Sequence, residues 1–195
     1  MNDNQKVAPV VNRVARDRQS SDFAYWQSCP PAERIAALEE IRHEYHQWKY
    51  HAEPRLQEFL QSLNDNDVRY LLIGGYAVAF HGHPRYTKDL DVWIEMTAGN
   101  ANRVIEALKQ FGFGSLGLTS ADFVVPDQII QLGYLPNRID ILTTAPGSDF
   151  ETCYQKRVTA NIDGLAIEFI DIESLKQNKK ASGRYQDLAD IENLE

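Results

Sequence analysis

Residues Leu71-Leu-Ile-Gly-Gly-Tyr-Ala-Val-Ala-Phe-His-Gly-His-Pro-Arg-Tyr-Thr-Lys-Asp-Leu-Asp-Val-Trp-Ile-Glu95 carry the pattern from which the rest of the chain is read. Tyr70 to Ile73 is a short β-prone run ending in Gly74-Gly75, and the residues after it suit a short helix. Asp89 to Glu95 alternates around Leu90, Val92 and Ile94, as a strand with one buried face does. A strand passing through a glycine pair into a helix start presents backbone N–H groups where the helix dipole also favours an anion, and a triphosphate fits such a place. Asp89 and Asp91 are two apart in a strand and so project from one face, within reach of one hard cation. Magnesium takes one or two carboxylates plus substrate phosphates.

Downstream, a helix from about Asn100 to Phe111 leads into a looser stretch marked by Gly112, Gly114 and Gly117. Gln128 to Tyr134 and Arg138 to Thr143 read as two strands joined by a turn at Pro136-Asn137, and Val158 to Ile162 with Leu165 to Ile170 as a hairpin around Asp163-Gly164. Asp171 to Ala181 and Arg184 to Leu194 are expected helices separated at Gly183. The predicted fold is α/β (α+β), with a mixed central sheet flanked by helices. Asp140, between Ile139 and Ile141, is the best candidate for a third acid. It would complete a two-metal site and stand ready to accept a hydroxyl proton. The plainer reading is an ordinary strand acid paired with Arg138.

Upstream, residues 1 to about 20 read as a loose arm. A helix starts near Pro31 with an apolar stripe of Ile35, Leu38, Ile41 and Tyr45, flanked by Trp26 and Trp48. Pro54 interrupts it, and Leu56, Phe59, Leu60 and Leu63 form a second stripe. The expected division is a helical N-terminal extension over 1–54 and the main domain over 55–195.

With 195 residues, 43% hydrophobic and 25% charged, the composition is that of an ordinary globular chain and excludes disordered and collagen-like classes. The net charge of −8 argues against unspecific adhesion to nucleic acid. Local basic patches remain at Arg85 with Lys88 and at Lys176, Lys179, Lys180 and Arg184. Apolar runs are too short and glycine-broken for a membrane span, and the N-terminus is no secretory signal. Cys29 and Cys153 form no metal or disulfide pattern, so a cytoplasmic setting is expected. His81 and His83 around a glycine are a poor zinc signature, and no zinc is expected.

Gly74-Gly75, then Arg85-x-Thr87-x-Asp89-x-Asp91, with His81-Gly82 between and Arg138-Ile-Asp140 downstream, resembles the DNA polymerase β-like nucleotidyltransferase superfamily. Within it the chain is most similar to small bacterial members associated with abortive infection and toxin-antitoxin systems, over about residues 55 to 195. The resemblance implies a nucleotidyltransferase fold, an NTP substrate, and Mg²⁺ held by Asp89, Asp91 and Asp140 as catalytic residues. Nucleotide binding is expected at Gly74, Gly75, Arg85, Thr87, Lys88, Lys179 and Arg184. The acceptor would be an RNA (the tRNA 3′ end) or a protein hydroxyl. Pro30-Pro31-Ala-Glu-Arg-Ile-Ala-Ala-Leu-Glu-Glu-Ile-Arg42 is similar to small helical proteins encoded beside such transferases, which implies an antitoxin-like or docking segment, and a cognate toxin or antitoxin as partner. Two rival readings are a non-catalytic NTP- and partner-binding antitoxin-like module and a helical adaptor in which residues 21 to 54 do the work.

Overall fold

Tyr70–Leu72, the shortest of the anticipated strands to pair, is buried at all three residues and forms β1 near the middle of a six-stranded sheet. The structure is a computed structural model that describes residues 22–49, 56–134 and 138–194, and for residues 22 and 44–49 the backbone alone. Its sheet order is β3-β4-β2-β1-β6-β5, with β2 (Asp89–Ile94), β3 (Ile129–Leu132), β4 (Arg138–Leu142), β5 (Val158–Ile162) and β6 (Leu165–Phe169). β1 runs antiparallel to β2 and parallel to β6, β2 is parallel to β4, and β3 and β5 close the two edges antiparallel, so the sheet is mixed as expected.

The helices lie where apolar periodicity or a cap asks for them. α3 (Leu56–Asp65) buries Leu56, Phe59, Leu60 and Leu63, the stripe anticipated from sequence. α4 (Gly74–His81) follows β1 and is buried at seven of its eight residues. α5 (Ala98–Phe111) starts where the Thr97 side chain accepts from Asn100 N–H and ends at Gly112, and it packs on α3 through Phe111 edge-on to Phe59. α7 (Ile172–Ser182) is capped by Asp171 and stops at Gly183, whose φ of +66° lets the chain reverse into α8 (Tyr185–Glu192). That break also prevents Lys176, Lys180 and Arg184 from forming one continuous helical stripe. The Asp163-Gly164 turn has positive φ at both residues, as the dipeptide predicts.

Among the described residues, two helices and two short 3-10 turns were not foreseen. α1 (Asp22–Ser28) and α6 (Phe150–Gln155) are too short for periodicity to speak, although α6 carries a cap, Asp149 accepting from Thr152 N–H. The stretch after Gly112 holds 3-10 turns at Gly114–Leu116 and Ser120–Phe123.

α2 (Pro31–Lys49) corrects the reading of its faces. Ile35 and Leu38 are buried as expected, but Ile41 is 37% exposed, and the buried positions beside Leu38 are Arg34 and Arg42. Residues 34, 38 and 42 are successive i, i+4 neighbours on one helix face. That face meets backbone carbonyls at the end of α4 and in the loop beyond it, which call for donors rather than methyl groups. Arg34 donates to the Phe80 carbonyl at 2.6 Å and Arg42 to the Thr87 carbonyl at 2.7 Å. The side chains of Tyr45 and Trp48, the arm at 1–20, the break at Pro54 and the turn at Pro136-Asn137 lie outside the described residues.

Candidate active site

The glycine pair and the aspartate pair prove to be one steric unit. Gly74 has φ +63°, and a Cβ built on it would stand 1.9 Å from Asp91 Oδ2; one on Gly75 would stand 2.6 Å from Thr87 Oγ1. The Asp91 side chain therefore lies directly over the turn, and only residues without side chains admit it. The Ile73 N–H donates to the Asp91 carbonyl at 3.1 Å, tying the end of β1 to the middle of β2. No side chain caps the start of α4, so its first-turn N–H groups are left for another acceptor.

Parallel pairing of β2 with β4 sets Asp91 beside Asp140 and Asp89 beside Arg138 in register. These four side chains share one face, while Leu90, Ile139 and Ile141 go to the core on the other. Ligand oxygens of Asp89, Asp91 and Asp140 all lie within 4.8 Å of one another. Arg138 bridges Asp89 and Asp140. Its Nε and Nη2 donate to Asp140 Oδ1 and Oδ2 at 2.7 and 2.9 Å, and Nη2 also donates to Asp89 Oδ2. Gln131 on β3 adds a bond to Asp140 Oδ2 at 3.2 Å, and the Thr87 hydroxyl donates to Asp89 Oδ1 at 3.2 Å. The pairing of Asp140 with Arg138 is thus real, and it is part of the cluster rather than an alternative to it.

One guanidinium against three carboxylates leaves an excess of negative charge. Burial first, and then the charges of Asp89 and Asp140, push the Asp91 carboxyl up to about 7. Lys179 and Arg184 act on it in the opposite sense, so the cations of the C-terminal helices face the acids.

The other expected nucleotide contacts are placed unevenly. Lys179 is almost fully buried and donates to Asp187 at 3.0 Å and to Asp190 at 2.6 Å. Arg85 grips Asp190 through two bonds of 2.6 and 2.7 Å, so it is no solvated loop charge. Burial alone would raise Asp187 and Asp190; hydrogen bonds from Arg184 and Lys179 to the first, and from Arg85 and Lys179 to the second, outweigh it and hold both below the ordinary carboxylate range. This network staples the loop carrying Arg85 to α7 and α8. Arg184 pairs with Asp187 while its side chain is 76% exposed, and Lys88 is exposed. His81 is buried, with Nε2 2.7 Å from the Ile170 carbonyl, and burial lowers its pKa: it braces the link between β6 and α7. Sequence reasoning missed Gln131, Asp187, Asp190 and Arg42 as neighbours of the site. Only the three-residue spacing of Asp187 and Asp190 beside Lys179 and Arg184 offered a signal.

Among the described residues no helix is long and apolar enough to cross a membrane. No curated protein matches the chain. Among solved structures the chain is similar to an antigenic nucleotidyltransferase-like protein from Paracoccidioides brasiliensis, at 17% identity over 69% of this chain and 71% of that one, with a TM-score of 0.42. It is also similar to a candidate nucleotidyltransferase from Thermotoga maritima, at 16% identity over 74% of this chain and 96% of that one, with a TM-score of 0.48. The family model for aminoglycoside-2''-adenylyltransferase matches residues 55–194, which include the glycine turn, all three acids and the C-terminal network. The chain belongs to that family and is a nucleotidyltransferase.

Proposed function

We propose that the chain transfers a nucleoside monophosphate from an NTP to an acceptor hydroxyl with Mg²⁺ bound by Asp89, Asp91 and Asp140. The observation that carries this is the acid cluster itself, with oxygens within 4.8 Å and one carboxyl raised to about 7 beside an uncapped helix start. The donor set is all oxygen, which suits a hard cation, and the surplus negative charge is what such a cation relieves. When bound there, magnesium supplies neutralisation of the phosphates and of the leaving pyrophosphate. The chain's own residues do the rest. The N–H groups opening α4 at Gly74 and Gly75 hold phosphate oxygens, and Arg184, exposed and turned toward the acids, meets the charge that develops on the triphosphate. The acceptor oxygen attacks the α-phosphorus, the bond to the β-phosphate oxygen breaks, and the hydroxyl proton passes to Asp140. Thr87 keeps Asp89 in place, while Lys179 and Arg85 support the site from the network behind it.

For the acceptor, the family description points to a polycationic aminoglycoside hydroxyl with ATP as donor, and the net charge of −8 suits a cationic acceptor better than a polyanionic one. A second reading, transfer to RNA (a tRNA 3′ end) or to a protein hydroxyl in a toxin-antitoxin or phage-defence setting, is favoured by one observation. The helical segment α1–α2 docks on the catalytic region through Arg34, Arg42 and Gln27, as a partner-derived element would. Label transfer from each α-labelled NTP, with Mg²⁺, into aminoglycosides, total RNA and cell protein tests both. Label that disappears with Asp89→Ala identifies base and acceptor. If NTP binds but no acceptor takes label, the chain is a nucleotide-binding module and catalysis is refuted.

A further inference from the structure

Arg42 is completely buried, yet it belongs to α2, outside the residues that the family model covers. Burying a guanidinium is costly, and a leucine would fill an interior site more cheaply, so its retention asks for a specific geometric task. Its Nη1 donates to the Thr87 carbonyl at 2.7 Å, and its guanidinium lies 5.3 Å from the centre of the Tyr76 ring, while the Tyr76 hydroxyl donates to Glu39 on the same helix. Thr87 is the residue that matters. It sits in the irregular segment between α4 and β2, its side chain packs on Gly75, and its hydroxyl bonds Asp89 Oδ1 at 3.2 Å.

We propose that Arg42 is a positioning residue for the acid cluster: by fixing the Thr87 carbonyl from α2 it holds the Thr87 hydroxyl on Asp89, so that the N-terminal helices are a working part of the site. This rests on the metal-site reading above. The two oxygens of Asp89 are held from opposite partners, Oδ1 by Thr87 and Oδ2 by Arg138. If Thr87 drifts, Arg138 is the remaining grip, and the carboxylate turns toward Asp140 and away from the position in which it shares a cation with Asp91. The middle of the same segment is pinned by Arg85 on Asp190 of α8, so the loop is clamped by α2 at Thr87 and by α8 at Arg85, and release of one clamp changes the site locally.

The test uses the full chain and two readouts, Mn²⁺ binding by electron paramagnetic resonance with the metal alone, and thermal unfolding without metal. Arg34→Met is the control: it removes a similar buried bond from the same helix, to the Phe80 carbonyl, which does not lead to an acid. Outer-sphere partners of metal ligands are worth about 10- to 100-fold in affinity, and Arg42 acts one bond further out. Arg42→Met is therefore expected to weaken Mn²⁺ by about 3- to 10-fold, Arg42→Lys to recover part of the loss, and Arg34→Met to lower the unfolding temperature while leaving Mn²⁺ affinity unchanged. If Arg42→Met does not fold, Arg42→Lys set against Arg34→Met decides. Equal Mn²⁺ affinity in the Arg42 variants and the unmodified chain, or an equal loss with Arg34→Met, overturns the inference while leaving the metal site intact. An unmodified chain that binds no more Mn²⁺ than its Asp89→Asn variant overturns the metal site and this inference together.

Discussion

Replacing Asp91 by asparagine removes a charge that the folded protein carries at a cost. The carboxyl stands at about 7 in the fold against an ordinary 3.8, so between these values the native chain binds a proton that the unfolded chain has released. Stability of the metal-free protein then falls as pH rises from about 4 to about 7 and is level above that. A difference of about three pH units, at about 1.36 kcal/mol each, amounts to about 4 kcal/mol at the upper bound. Relief in a variant is about 2–4 kcal/mol, a large part of a typical folding free energy of about 5–15 kcal/mol. Asparagine keeps the shape that lies over Gly74. The assay is urea unfolding with EDTA at about pH 4.5, 6 and 8. The Asp91→Asn chain is expected to be the more stable at the highest pH, to converge with the unmodified chain at the lowest, and to have lost nucleotidyl transfer. Mg²⁺ should restore stability to the unmodified chain alone. A variant no more stable at about pH 8, or a difference constant across the range, refutes the reasoning.

Gly74→Ala would drive a Cβ to 1.9 Å from Asp91 Oδ2 at a φ of +63°, and is expected to cost about 1–3 kcal/mol and at least about 100-fold in kcat/KM, read by urea midpoint and steady-state kinetics. Asp140→Asn should lower kcat by about 10²–10⁴-fold while NTP still binds, as equilibrium dialysis would show. Lys179→Met leaves Asp187 and Asp190 buried without their shared cation and should destabilise the fold by about 3–5 kcal/mol in thermal unfolding. Because both carboxyls lie below the ordinary range, that contribution is present at neutral pH and lost as pH falls below about 4, so the deficit should shrink in acid.

Much of the catalytic region was legible because its signals are local. A glycine pair after a β-prone run, acids two apart in an alternating strand, and an acid between two isoleucines each follow from backbone periodicity, and the strands and helices around them appear within a few residues of their expected places. The division of the chain near Pro54 falls at residues outside the description. The two short helices were not legible, since seven and six residues give periodicity too little to work on.

What the sequence by itself determined was the identity and order of the chemical groups: which turn is free of side chains, which strands carry acids, and where the C-terminal helices break at a glycine. Only the tertiary structure decided how those groups meet. The parallel register of β2 on β4 sets Arg138 between Asp89 and Asp140, the fold of Asp91 over Gly74 makes the glycine a steric requirement, and packing of α2 turns two arginines inward where an apolar stripe was expected. Each depends on contacts between residues far apart in the chain. Their partners are carbonyls and carboxylates whose positions exist only once the sheet has formed, and no local period in the sequence encodes them.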